Sequence, residues 1–582
     1  MNPSLFQSTP SKGSPKYVAP ADTRNAAGGT AYKRGPKDKL AQFAVTGCLS
    51  DTFYASAEVQ LKEILGLAND TAIDSKFLAQ TAVYARGANM KDMPALLSAM
   101  LVVRSSAGDV AASGLFRAVA PKVLDNLKMV ANFVKILRSG LVQTAIVGGK
   151  STSLPRPARK YVAQFLRDRN PERLLNDSTG IDPALGDIIK MVHPKPKSAA
   201  QAAVFAYFMG KTTGAATLAE LPKSVRDFEA FKAGTASTAD RLGLIGSINF
   251  RRLDSLGLTD AEWAEIAKSA SWQTARMNLA TFARHNVLTD KTIVATLAAK
   301  LRDPDQIKKS RALPYQLYVA HEMTKSNTAV PQSLTGALHD AFEVAVANTP
   351  KFAGDTLVAV DLSSSMNTPV TGRQGSKTPS KVSCREAAAL FASSILRVNP
   401  DSTRIMGFTT EAKEARLNPR DSVFTNASKL AGLLSGGTAC SAPVLLAIQN
   451  KIKVDTIVLL SDSESWADSI GTPNGYYSQY SAGGTGLAKA WAQYREKINP
   501  KARLICIDLA PNTTAQVTQS DTTGIYHVGG FSDAVFEYIA HITTAPSGSR
   551  NWTALIEQVQ LDTASEAPVQ AEPSAATTVD PE

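Results

Sequence analysis

Asp361, Ser363 and Ser365 occupy alternate positions directly after the apolar run Thr356-Leu-Val-Ala-Val in a chain of 582 residues. If Asp361 ends a strand and the following residues turn, one carboxylate and two hydroxyls converge on a point. Two other loops offer matching groups: Gly436-Gly437-Thr438, and Ser461-Asp462 after the apolar run Thr456-Ile-Val-Leu-Leu. Hard oxygen donors with two carboxylates and no His or Cys suit Mg2+ or Mn2+ better than Zn2+. A site so lightly charged leaves the cation electrophilic toward an outside carboxylate or phosphate. A Ser-rich turn capping a helix would also give Asp-x-Ser-x-Ser. Thr438 and Asp462 at the loop ends favour a divalent cation held by Asp361, Ser363, Ser365, Thr438 and Asp462. Glu464, two positions further on, reads as solvated and outside the site.

The same residues make a poor catalyst. None of the six histidines lies in a recognisable local motif that would activate a serine. Phosphoryl-aspartate chemistry would want a second Asp where Ser363 stands. No enzymatic activity is expected.

A second chemistry is cationic. Arg156, Lys160 and Arg167 share one helical face with Ala163, and Arg159 lies alongside. Such a stripe can track a phosphate backbone, although most charge runs are solvated surface. Further on, His193-Pro194-Lys195-Pro196 ends a helix sharply, since proline biases the residue before it away from the helical region. His193 and Lys195 at that corner could stack on a base and hold a phosphate, or His193 could only cap helix carbonyls. Thr144-Ala-Ile-Val-Gly-Gly-Lys-Ser151 lacks the first glycine of a phosphate loop and sits in a helical setting, and the glycines of Ser481-Ala-Gly-Gly-Thr-Gly486 lack dinucleotide spacing, so neither is read as a site.

The elements that must position these groups follow from composition and periodicity. The length allows about four domains. Hydrophobic residues at 44% and charged residues at 20% are ordinary globular values, which excludes wholesale disorder and a membrane bundle. The apolar stretches at residues 95–103 and 202–209 are far short of a membrane span, and the first twenty residues lack a secretory apolar segment. Four scattered cysteines give no disulfide framework or zinc knuckle. A cytoplasmic location is expected. The net charge of +12 is unevenly spread: residues 1–350 carry a net +15, of which residues 101–200 hold +9, and the rest carry −3. Any polyanion site belongs in the first part.

Residues 1–38 lack apolar periodicity and carry Gly28-Gly29, and they read as a flexible arm. Residues 39–350 show helical spacing with short breakers, as in Phe77-Leu-Ala-Gln-Thr-Ala-Val-Tyr and Tyr161-Val-Ala-Gln-Phe-Leu, and suit a helical-repeat array. In residues 351–542, five short apolar runs alternate with amphipathic helices, predicting an α/β domain with a doubly wound parallel sheet whose ligands sit at the carboxyl ends of the strands. Residues 543–582 read as a loose acidic tail with one apolar interruption near Trp552.

Two resemblances add to this reading. Asp-x-Ser-x-Ser followed by Thr438 and Asp462 resembles the metal-ion-dependent adhesion site of von Willebrand factor A (vWA) domains. That implies Ser363, Ser365 and Thr438 as direct ligands, with Asp361 and Asp462 direct or through water. The His193-Pro-Lys-Pro quartet, Leu40-Ala-Gln-Phe-Ala-Val-Thr-Gly-Cys-Leu-Ser-Asp-Thr-Phe-Tyr54, Leu313-Pro-Tyr-Gln-Leu-Tyr-Val-Ala320, Cys506-Ile-Asp-Leu-Ala-Pro511 and His527-Val-Gly-Gly-Phe-Ser-Asp533 resemble TROVE-domain proteins of the Ro RNA-binding family over residues 27–541. The resemblance implies a closed ring of HEAT-like helix pairs joined to a Rossmann-like vWA domain. It also implies small structured Y RNAs on the outer face, single-stranded ends of misfolded RNA in the hole, and RNA quality control, with RNA and not DNA as the partner. In some bacterial relatives the Y RNA tethers a ring-shaped exoribonuclease. His193 matches the histidine of the Y RNA surface, while two basic residues of that surface fall on Asn176 and Gly180. The reading opposed to RNA is a protein-interaction scaffold with an adhesion-type metal site.

Overall fold

The computed structural model describes residues 18–46, 57–211, 220–234, 237–310, 314–347, 349, 351–369, 382–468, 484–509, 513–530, 533–545 and 550–561. Helices dominate from Pro36–Thr46 to Gln332–Val346, and an α/β domain follows. Successive helices pair through apolar faces at the spacing the sequence predicts. Arg156–Asp168, for instance, buries Ala158, Val162, Phe165 and Leu166 and turns its charges outward. Among the described residues no single helix is long and apolar enough to cross a membrane.

Among the described residues nine strands form two sheets. They are β1 (Thr23–Arg24), β2 (Thr30–Lys33), β3 (Thr356–Asp361), β4 (Thr403–Phe408), β5 (Ala412–Glu414), β6 (Thr456–Ser461), β7 (Arg503–Asp508), β8 (Thr514–Ala515) and β9 (Ile525–Gly529). The larger sheet has the order β5-β4-β3-β6-β7-β9, parallel except for the antiparallel edge strand β5. All five predicted strands are there. Alternation along β3 divides the core: Leu357 and Ala359 pack with Trp491 and Tyr494 on one face, while Val358 and Val360 join the other face, whose core continues into the helical array. Helix Cys384–Val398 covers that second face and opens with a reciprocal cap between Ser383 and Glu386.

The array begins and ends on this α/β domain. Its first helix packs on β9 and on the helix Trp552–Glu557. At the other end Phe424 of the α/β domain sits among Tyr318, His321, His339 and Phe342, with ring centroids 4.3–5.1 Å away. The helical path therefore closes through the second domain.

Two boundary expectations need correcting. Of the predicted flexible arm, residues 1–17 lie outside the described residues, but residues 18–38 are built in. β1 and β2 form a hairpin that pairs with β8, and the first helix starts at Pro36. Gly28 takes φ +86° and makes the turn, with Asn25 N donating to Gly29 O at 2.9 Å. The hairpin is too short for any periodicity to reveal it. Of the predicted loose tail, residues 562–582 lie outside the described residues. The helix Trp552–Glu557 is docked, because Trp552 stacks on Tyr538 at 5.7 Å and meets Tyr84 edge-on at 6.5 Å. Gln80 Nε2 also donates to Val559 O at 3.1 Å. Cys384, Cys440 and Cys506 are buried and unbridged, and Cys48 lies outside the described residues.

Burying Trp552 should stabilise the full chain substantially, since truncating a buried Trp costs about 3–5 kcal/mol. Trp552→Ala is expected to lower the urea midpoint clearly. An unchanged midpoint on deleting residues 550–582 would show the helix to be idle.

Candidate cation site and basic face

Register explains how the acidic residues gather. Val360 pairs with Leu460 and Ser461 with Asp508, so Asp361, Ser461 and Asp508 form one row across the carboxyl ends of β3, β6 and β7. Ser461 Oγ donates to Asp361 Oδ2 at 2.6 Å, and Ser363 N donates to Asp361 Oδ1 at 2.8 Å. Ser363 and Ser365 hydroxyls lie 3.1 Å apart. A hydrogen bond from Ser365 reaches Asp462. The third loop is tied in by backbone: Ser364 N donates to Gly436 O at 3.1 Å, and Trp466 N and Ala467 N donate to Thr438 O at 3.1 and 2.9 Å. The structure thus brings together Asp361, Ser363, Ser365 and Asp462, with Thr438 on the adjoining loop.

The electrostatics are those of a cation cradle. Asp361 is fully buried, and burial together with the neighbouring Asp462 charge pushes its carboxyl up to about 7. Burial also raises Asp462, against the hydrogen bond from Ser365. The nearby Arg385 guanidinium is spent on the carbonyls of Leu362 and Ser363. Two buried carboxylates facing hydroxyls, each raising the cost of ionising the other, fit a hard divalent ion that would relieve both.

Glu464 corrects the sequence reading: it is buried and not solvated. Desolvation pushes it up to about 7, and Ala27 N donates to its Oε2 at 3.2 Å. Its partner Ala27, in the turn of the N-terminal hairpin, carried no signal to reveal this. Asp508 was also missed. Burial raises its carboxyl and Arg34 pulls it back through a buried ion pair, while the Ser463 hydroxyl donates to its other oxygen. A signal existed, since Asp508 ends an apolar strand as Asp361 does. Asp468, half-buried and bonded to Ser441 and Ser465, borders residues 469–483, which lie outside the described residues.

On the array, Arg156, Arg159 and Lys160 are exposed and Arg167 is half-buried, its NH1 3.4 Å from Gln164 Oε1. Arg156 and Lys160 make no ion pair with any described residue. His193 is exposed at φ +48°, and its N–H donates to Ile189 O at 2.9 Å as a helix stop. Lys195 is exposed as well. Lys197 pairs with Asp168, and Gln201 Nε2 reaches Arg167 O at 3.1 Å, so the His193 corner joins the Arg167 end of the stripe. Arg156 lies about 16 Å further along the helix. Asn176 is structural: it accepts from Asn249 N at 2.9 Å and donates to Ser247 O at 3.3 Å. Lys128 Nζ lies 3.4 Å from Gly180 O, which puts a cation at that position from the neighbouring helix.

Residues 355–543 match the family model described as the Ro60 vWA domain. The chain is 26% identical over 469 residues to a protein of Deinococcus radiodurans named RNA-binding protein RO60, covering 77% of this chain and 84% of that protein. It is 26% identical over 189 residues to a like-named protein of Caenorhabditis elegans, covering 31% of this chain and 28% of that one. The crystal structure of the Deinococcus radiodurans RO (RSR) protein superposes with a TM-score of 0.61 at 21% identity, over 87% of this chain and 99% of that chain. The Ro-family resemblance and the fold class are borne out.

Removing one partner of a buried ion pair typically costs about 3–5 kcal/mol. Arg34→Met should therefore destabilise the chain in chemical denaturation, and adding Asp508→Asn should restore most of the loss. If the single variant unfolds like the parent, the pair has no structural weight.

Proposed function

We infer, for a chain whose residues 355–543 form a vWA domain of the Ro60 type, that it is a cytoplasmic, non-enzymatic RNA-binding scaffold whose helical array holds RNA and whose α/β domain holds Mg2+ or Mn2+. The observation that carries the reading is the exposed cationic face of the helix Arg156–Asp168, which runs into the corner at His193 and Lys195. Ala158, Val162, Phe165 and Leu166 of that helix carry its packing, so the opposite face is free to follow a phosphate backbone. The relatives' names support RNA as the ligand.

The finer reading is that the array takes a small structured, Y-like RNA and the single-stranded ends of misfolded RNA, in RNA quality control. Asn176 and Gly180 do not supply charge, and Lys128 beside Gly180 with the stripe of Arg156, Arg159, Lys160 and Arg167 would do so instead. An exoribonuclease would join through the RNA and not through a surface of this chain. At the cation site, Ser363, Ser365 and Thr438 would ligate directly, with Asp361 and Asp462 balancing the charge. A cation so bound would accept an outside carboxylate or phosphate.

Reversing Arg156, Lys160 and Arg167 to Glu should weaken RNA binding at least about tenfold at 0.1 M salt and lower the salt slope by about 3, across unrelated sequences. Filter binding at several salt concentrations measures both. Unchanged affinity and slope would reduce the stripe to solvated surface. Asp361→Ala with Thr438→Ala should abolish Mn2+ binding in calorimetry while helical circular dichroism stays the same. Retained Mn2+ would refute the ligand assignment.

A further inference from the structure

Residues 462–468 have no regular structure, and Ser463 among them takes φ +59°, so the shape of this stretch must be imposed from outside. Part of that imposition comes from the opposite end of the chain. Asn25 Nδ2 donates to Ser465 O at 2.8 Å, and Ala27 N donates to Glu464 Oε2 at 3.2 Å. Gly29 lies so close that a Cβ there would overlap the Ser465 carbonyl and come within 3.1 Å of Trp466 Cα. Only glycine permits this approach. The hairpin bond at Ser465 is one step from the cation ligands, because Ser465 Oγ lies 3.3 Å from Thr438 O and Trp466 N donates to that same carbonyl at 3.1 Å. Beyond Gly29 the segment runs along β8 as β2, places Arg34 on Asp508, and enters the first helix of the array.

We propose that Asn25, Ala27 and Gly29 are positioning residues of the cation site: the N-terminal hairpin holds Glu464 and Ser465, and through them Thr438, in the ligating arrangement. The inference rests on the cation reading above and extends it to a segment some 440 positions away in sequence. Because a cation that needs the seated hairpin must equally stabilise its seating, occupancy of the site and order in the hairpin are linked in both directions. The hairpin leads without a break into the array, so the state of the cation site is communicated to the first helix of the RNA-binding module.

The test uses the full chain with Mn2+ as the only ligand. Gly29→Ala forces the hairpin off the loop without touching a charge or a ligand, and Asn25→Ala removes two hydrogen bonds, one to Ser465 O and one from Gly29 N, without a clash. Calorimetry should show Mn2+ affinity lowered about tenfold in Gly29→Ala, within the range usual for coupled sites, and lowered less in Asn25→Ala. Hydrogen exchange should show residues 22–33 protected by Mn2+ in the parent and unprotected in Gly29→Ala, with exchange in the distant helix Lys291–Arg302 the same in both. If Gly29→Ala fails to fold, Asn25→Ala and the Mn2+-dependent exchange of the parent decide. Parent-like Mn2+ affinity in both variants, or exchange at residues 22–33 indifferent to Mn2+, overturns the strap while leaving the cation site standing. A parent that binds no Mn2+ overturns the cation site and the strap together.

Discussion

Asp361, Asp462, Glu464 and Asp508 are buried at one end of one sheet, with Asp468 half-buried beside them. Buried carboxylates persist only where something answers their charge. The answers differ from residue to residue. Asp508 has the Arg34 guanidinium, and Asp468 has the hydroxyls of Ser441 and Ser465. Asp361 has a hydroxyl, a backbone N–H and, facing it, another carboxylate. That imbalance separates a structural acid from a candidate ligand, since the group whose nearby guanidinium, Arg385, is bonded to backbone carbonyls instead is where an external cation gains most.

This requirement also accounts for the path of the chain. Arg34 can neutralise Asp508 only if the segment before the helical array crosses to the last domain, and the hairpin β1-β2 with its partner β8 is how it crosses. At the other end, Arg397 reaches Glu343 at 3.2 Å and Phe424 fills an aromatic nest on the final helices of the array. Both ends of the array are thereby anchored on one body. Among the described residues its middle, where the helix Arg156–Asp168 and the corner at His193 lie, makes no extensive contact with the α/β domain. An array so held cannot unroll without breaking one of the two anchors, and this keeps the spacing of its surface cations constant.

Much of this was legible in the residues. Helical spacing marked the array, and continuous apolar runs marked the five parallel strands, because both signals extend over enough positions for periodicity to show. The cation loops were legible for a different reason: Asp361 and Asp462 each end or follow an apolar run, where parallel sheets place their sites. What stayed hidden was short or depended on distant partners. Thr30–Lys33 is four residues long. Trp552 opens a brief apolar interruption of a polar stretch, with its partners Tyr84 and Tyr538 elsewhere in the chain. Glu464 looks like any loop acid until Ala27 is placed beside it. Asp508 could have been found by the rule that found Asp361, had the end of every strand been weighed alike.

The cationic half of the molecule follows the opposite logic from the acidic site, and the surplus of basic residues overstates what a polyanion would meet. Arg104 is occupied with the carbonyls of Ala68 and Ile73, Arg169 lies over the Phe165 ring at 4.2 Å, and Lys135 and Lys197 pair with Asp182 and Asp168. These charges hold helices together and are only partly available to a partner. Arg156, Arg159, Lys160 and Lys195 are different, because they project from helix faces and corners whose apolar sides already carry the packing. A surface cation without an acid partner adds little to stability, so its value lies in what it can attract from solution. On one side of the chain, then, negative charge is buried beyond what the protein itself neutralises. On the other, positive charge is exposed beyond what folding requires, and each excess is best explained by a ligand of the opposite sign.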